Sequence, residues 1–191
     1  VYRFDEGDAS MADLLGGKGS NLCEMARLGL PVPPGFVIST HVCRDFLTKN
    51  QALPEGLEES IKDNIQLLEK SIGRNFGSTS SPLLVSVRSG ARISLPGMMD
   101  TILNLGINDQ IVEGLASMMG DPRPAYDAYR RFIQMYGDVV LGVDHGLFEE
   151  ALEIAKEDQG YYADTELSAE EWKVLVAEYK AIVERELGSP F

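Results

Sequence analysis

Two cysteines, Cys23 and Cys43, are all that the 191 residues contain, and no CxxC spacing occurs. That excludes a disulfide framework and a cysteine-based zinc site, and it fits a reducing compartment. Histidine is equally scarce. His41 and His145 stand alone, neither in a Ser/His/Asp or His/Glu arrangement, so His-based metal chemistry and triad hydrolysis are poorly supplied. Positive charge is short as well: 17 Lys+Arg face 30 Asp+Glu, a net charge of −13, which makes nucleic acid an unsuitable partner. No apolar run approaches the roughly 20 residues of a membrane span, and no basic-then-apolar leader opens the chain. The opening VYRFDEG reads instead as a short strand, so a natural terminus, and any targeting segment with it, is open to having been trimmed.

What is present is divided unevenly. Residues 1–107 carry 10 Lys+Arg and 12 Asp+Glu, a net of −2, whereas residues 108–191 carry 7 and 18, a net of −11. An anionic ligand belongs in the first half, where glycines and cations gather; the acidic second half reads as a solvated helical surface. The hydrophobic pattern divides the chain in the same place. Before residue 107 the signals are mixed. A glycine loop leads into a helix whose face is Leu22, Met25 and Ala26 and which stops at Gly29. A strand is expected over 36–39, then a helix capped by Thr40 with Val42, Cys43, Phe46 and Leu47 inward. An amphipathic helix covers 55–73, a buried strand 83–87, and its neighbour 101–105. Beyond residue 107 the period is helical. Ala125, Tyr129, Phe132, Ile133 and Tyr136 share a face that ends at Gly137. Phe148, Ala151, Leu152 and Ala155 make a second stripe. Ser168 and Glu171 form a capping box before Trp172, Leu175, Val176, Tyr179, Ile182 and Val183, with Gly188 closing the helix.

Three stretches could carry chemistry. GGKGSN, residues 16–21, sets Lys18 in a glycine turn at a helix start, where backbone amides, the helix terminus and an ammonium can meet an anion. It is not a Walker A loop, because Gly19 rather than Ser or Thr follows the lysine. The plainer reading is a glycine turn with a solvated lysine. SVRSGARIS, residues 86–94, places Arg88 at the end of an apolar strand, a rigid mount for bidentate phosphate binding, with Ser89 and Gly90 beside it. Here the plainer reading is an ion pair with Asp100. SLPGMMDT, residues 94–101, is a Pro96-Gly97 turn followed by Met98 and Met99, which can cover a planar ring or plug into the core, and by Asp100, which can orient a cation or cap the next turn. Both cysteines, and the Trp172/Tyr179 stripe, are expected in the core. The pairs Glu149-Glu150 and Glu170-Glu171 are expected on solvated faces, with no His or Asp at ligand spacing.

LLGGKGSNLCEMARLGLPVPPGFVIST together with LLVSVRSGARISLPGMMDTILNLG resembles the N-terminal nucleotide-binding domain of the pyruvate, phosphate dikinase family, and AYDAYRRFIQMYGDVVLGV extends the likeness weakly. Phosphoenolpyruvate synthases share the glycine–lysine loop and VRS but usually lack PGMMDT. The resemblance implies an α+β chain: an ATP-grasp-like first lobe over 1–107, then an all-helical subdomain over 108–191. It implies the reversible reaction of ATP, phosphate and pyruvate to AMP, pyrophosphate and phosphoenolpyruvate with magnesium. Lys18 and Arg88 match the family's phosphate-contacting residues. Ser89 follows that arginine, and Gly97, Met98, Asp100 and Thr101 match its glycine-rich loop. The partners implied are a phosphocarrier histidine domain and a pyruvate-binding domain of the same chain, usually in a homodimer. Neither the phosphocarrier motif nor the magnesium carboxylates occur in these 191 residues. On this basis the segment alone is expected to be catalytically incomplete. Its compartment would be cytoplasmic, or organellar (plastid or glycosome) if a leader was removed. A phosphoenolpyruvate synthase, or a non-catalytic anion-binding or interaction module, are the alternative expectations.

Overall fold

The computed structural model describes residues 1–90 and 100–191. The expected Pro96-Gly97 turn, Arg92, Met98 and Met99 lie outside the described residues. The rest is mixed α/β and rich in helix, and it forms two compact units: residues 1–74 with 88–100, and residues 75–87 with 101–191.

In the first unit, β1 (Tyr2–Arg3) pairs antiparallel with β2 (Phe36–Val37), with Tyr2 opposite Val37 and Arg3 opposite Phe36. The helix α1 (Ala12–Arg27) includes the glycine run instead of merely following it, but Gly16 breaks it, with φ 70° and ψ 165°. That conformation is costly for any residue with a Cβ, so Gly16 lets a new helical segment begin just before Lys18. Leu15, Gly19, Ser20 and Cys23 are the buried side of α1. The following helix, α2 (Thr40–Thr48), begins with Thr40 as its first residue, and Ser39, in the position before it, makes no side-chain capping bond. The Thr40 hydroxyl instead donates to the Asp13 carbonyl at 2.7 Å. The inward face expected of α2 is only partly inward: Val42 and Phe46 are half-buried, while Cys43 is exposed and Leu47 is 70% exposed. The helix α3 (Leu57–Ile72) follows the expected amphipathic span. Leu57 is buried at its start, and Ile61, Ile65 and Leu68 are half-buried along one stripe.

The strands β3 (Val85–Arg88) and β4 (Thr101–Leu105) form a two-stranded sheet that belongs to the second unit except for Arg88, which is counted with the first. β4 packs on α5 (Pro122–Val139), which is why these strands group with the helices and not with the rest of the first half. The expectation of a buried strand fails for β3: Val85 is half-buried, but Ser86, Val87 and Arg88 are exposed. A two-stranded sheet covered from one side leaves such positions in solvent.

Around α5 stand α4 (Asp109–Met119), α6 (His145–Gln159) and α7 (Ala169–Leu187). Their helix starts are locally encoded. The Asn108 side chain accepts the Gln110 and Ile111 amides, Asp121 accepts Arg123, and Asp144 accepts Gly146. Ser168 and Glu171 exchange both bonds of a capping box. Ala125, Tyr129, Phe132, Ile133, Phe148, Leu152 and the whole expected α7 stripe are buried together, Trp172 and Tyr179 completely. Gly137 does not end α5. It lies inside the helix, where a Cβ would come within 2.7 Å of the Phe148 ring, so its smallness lets α6 approach.

Candidate functional site

Lys18 is the second residue after the break in α1, half-buried between Gly17 and the buried Gly19. The first amides of a helical segment lack partners within that segment, and Lys18 stands among the first residues after Gly16. The Lys18 ammonium donates to the backbone carbonyl of Ser89 at 3.5 Å, joining residues 71 apart in sequence. Ser89 directly follows Arg88, the exposed last residue of β3. The Lys18 ammonium of α1 thus meets the backbone one residue beyond Arg88 of β3, both residues lying within the first unit.

The base of this arrangement is fixed by Asp100. Its carbonyl accepts the Ser89 amide at 3.1 Å and the Ser89 hydroxyl at 3.1 Å. Asp100 itself is exposed. Thr101, next in sequence, is half-buried as the first residue of β4 and belongs to the second unit. The structure therefore brings Lys18, Ser89 and Asp100 together, with Arg88 adjacent in the chain. Gly97 and Met98 lie outside the described residues. Such a cluster can neutralise an oxyanion. Its cation is the Lys18 ammonium, and Arg88 precedes Ser89 in the chain.

Of the residues set aside in the sequence, Cys23 lies where expected, whereas Cys43 and His145 do not. Cys23 is fully buried, and burial pushes its thiol pKa up, helped by the Asp8 carboxylate, so it is an unreactive core thiol. Cys43 is exposed instead of being in the core. His145 is not isolated: its Nδ1 is 3.0 Å from Asp138 Oδ2 and its Nε2 is 3.5 Å from Glu149 Oε1. The four-residue step from His145 to Glu149 is a ligand spacing on a helix, a signal legible in the sequence and missed there. Gln134 donates to the same Glu149, so this cluster ties α5 to α6. Another charged group unforeseen in the sequence is Arg130, only 5% exposed. It pairs with Asp127 and Asp164 at 3.1 Å each and lies 4.7 Å above the Trp172 ring. Its partners satisfy a charge that would otherwise be too costly to bury. Among the described residues no group of three or more His, Cys, Asp or Glu side chains could hold a metal ion, and no helix is long and apolar enough to cross a membrane.

A family model described as pyruvate phosphate dikinase, AMP/ATP-binding domain, matches residues 12–55 and 47–179. Pyruvate, phosphate dikinase of Rhizobium meliloti (strain 1021) is 58% identical over 195 residues, an alignment that takes in 100% of this chain and 22% of that protein. The Clostridium symbiosum protein of the same name is 52% identical over 182 residues, 95% of this chain and 21% of its own length. Pyruvate, phosphate dikinase 1, chloroplastic, of Oryza sativa subsp. japonica is 51% identical over 195 residues, 100% of this chain and 20% of its own. The chain spans about a fifth of the length of the curated relatives it matches.

Proposed function

Because the chain belongs to the pyruvate phosphate dikinase AMP/ATP-binding domain family, we propose that it binds the phosphates of ATP through Lys18 and Arg88. In this reading residues 1–107 are an ATP-grasp-like lobe and residues 108–191 a helical subdomain that follows it in the chain. The whole enzyme converts ATP, phosphate and pyruvate to AMP, pyrophosphate and phosphoenolpyruvate, passing a pyrophosphoryl group to a histidine carried elsewhere in the same protein. The observation that supports the reading is the contact of the Lys18 ammonium with Ser89, next to Arg88.

The contribution of these residues is positioning and charge neutralisation, on which phosphoryl transfer chiefly depends. Lys18 supplies a compact charge on a flexible stem; Arg88 supplies a planar fork that can take two oxygens of one phosphate. The amides that follow Gly16 add partial positive charge at the helix start. Gly97, Met98, Asp100 and Thr101 are assigned to the adenine and phosphate surroundings by their family motif. Magnesium, when bound, would supply further charge neutralisation at the polyphosphate, and the described residues offer it no cluster of carboxylates.

The test is turnover of the full-length enzyme carrying Lys18→Ala or Arg88→Ala. Loss of a charged hydrogen bond is expected to lower ATP-dependent phosphotransfer roughly 10- to 100-fold in each. Near-normal phosphotransfer in both variants would refute the assignment.

A further inference from the structure

Within the VRS motif the serine hydroxyl is a natural candidate for a direct phosphate contact, but its geometry assigns it other work. A serine hydroxyl has one proton to donate. In Ser89 that proton goes to the Asp100 carbonyl at 3.1 Å, and the Ser89 amide goes to the same oxygen, also at 3.1 Å. A phosphate oxygen needs donors, and both donors of this residue are spent. What remains is the Ser89 carbonyl, and it faces the Lys18 ammonium at 3.5 Å.

These three contacts form a directional chain. Asp100 accepts two bonds from one residue, which holds Ser89 beyond the end of β3. The carbonyl of the residue so held faces a lysine whose four-carbon stem would otherwise sample many rotamers. We propose that Ser89 is a positioning residue for Lys18: it touches no phosphate through its hydroxyl and holds the ammonium beside Arg88 before the polyphosphate arrives. Prior ordering of this kind lowers the entropic cost of binding. The inference rests on the reading of Lys18 as a phosphate-binding cation.

A double-mutant cycle in the full-length enzyme tests it, with ATP dissociation constants measured for Ser89→Ala, Ser89→Thr, Lys18→Ala and the Ser89→Ala/Lys18→Ala pair. Removing the hydroxyl is expected to weaken ATP binding about fivefold, the usual size of one neutral hydrogen bond. Threonine, which keeps the donor, restores it. With Lys18 already replaced, Ser89→Ala has no further effect. A serine effect that persists undiminished without Lys18 would mean direct contact with the nucleotide and would overturn the proposal, as would a silent Ser89→Ala. If Lys18→Ala itself leaves ATP binding unchanged, the underlying assignment fails instead, so the two failures are distinct.

Discussion

The carbonyl oxygen of Thr79 lies 1.7 Å from the point where a Cβ on Gly114 would stand. The loop over residues 75–83 therefore rests directly on the backbone of α4, and only a residue without a side chain permits it. In an isolated helix, alanine would be preferred to glycine by about 1 kcal/mol. Here the preference reverses. Backbone cannot swing aside as a side chain can, so Gly114→Ala is expected to destabilise the protein by about 3 kcal/mol, the upper range for overpacking. Urea unfolding followed by circular dichroism would show a lower midpoint; an unchanged or higher one would mean that the loop does not rest there.

Alkaline pH should act on the tyrosines of the second unit. Burial pushes the Tyr179 phenol up to about 12, against the opposing pull of Arg130. Tyr126 and Tyr129 are raised too, first by burial and then by the carboxylates of Glu113 and Asp109. A folded-state pKa above the unfolded one stabilises fully below the unfolded value, about 10, and the benefit is lost as pH rises through the folded value. Stability should thus fall steeply from about pH 10 to pH 12. Tyr179→Phe should start lower, having lost a 2.9 Å bond to the Phe148 carbonyl, but decline less. Equal slopes for the two proteins would contradict this.

The capping box of α7 predicts an acid effect of opposite sign. The Ser168 hydroxyl, then its amide, holds Glu171 below the usual carboxylate range. Its contribution is complete above the ordinary glutamate pKa and disappears as pH falls through the lowered value. Ser168→Ala should cost about 1 kcal/mol at neutral pH. Glu171→Gln should flatten the acid limb of the stability curve, and an unchanged limb would separate this carboxylate from acid unfolding.

The thiols should react in sequence. Exposed Cys43 is expected to consume one equivalent of an aromatic disulfide reagent in the native protein, and buried Cys23 only after denaturation. Two equivalents reacting at one rate without denaturant would contradict the burial of Cys23.

These outcomes also mark how far the chain could be read without coordinates. The last helix was legible to its ends, because Ser168, Glu171, the six-residue apolar stripe and Gly188 are all local signals. Strand 101–105 was legible for the same reason. What depends on distant neighbours was not. Gly114 looks like a weak helix residue until Thr79 is seen against it, and Gly137 looks like a terminator until Phe148 is. Leu47 and Cys43 follow an inward pattern, yet among the described residues nothing covers them. At the site, Lys18 and Arg88 could each be picked out by motif and family likeness. The link through Ser89 spans 71 residues and has no local signature, and the hydroxyl's commitment to Asp100 is purely geometric.

The most direct measurement of the central claim is a nucleotide series against wild-type and Lys18→Ala full-length enzyme, using adenosine, AMP, ADP and ATP. If Lys18 meets phosphate oxygens beside Arg88, the loss of affinity should be absent for adenosine and greatest, roughly 10- to 100-fold, for ATP. An equal loss across all four ligands, or none for ATP, would contradict the account.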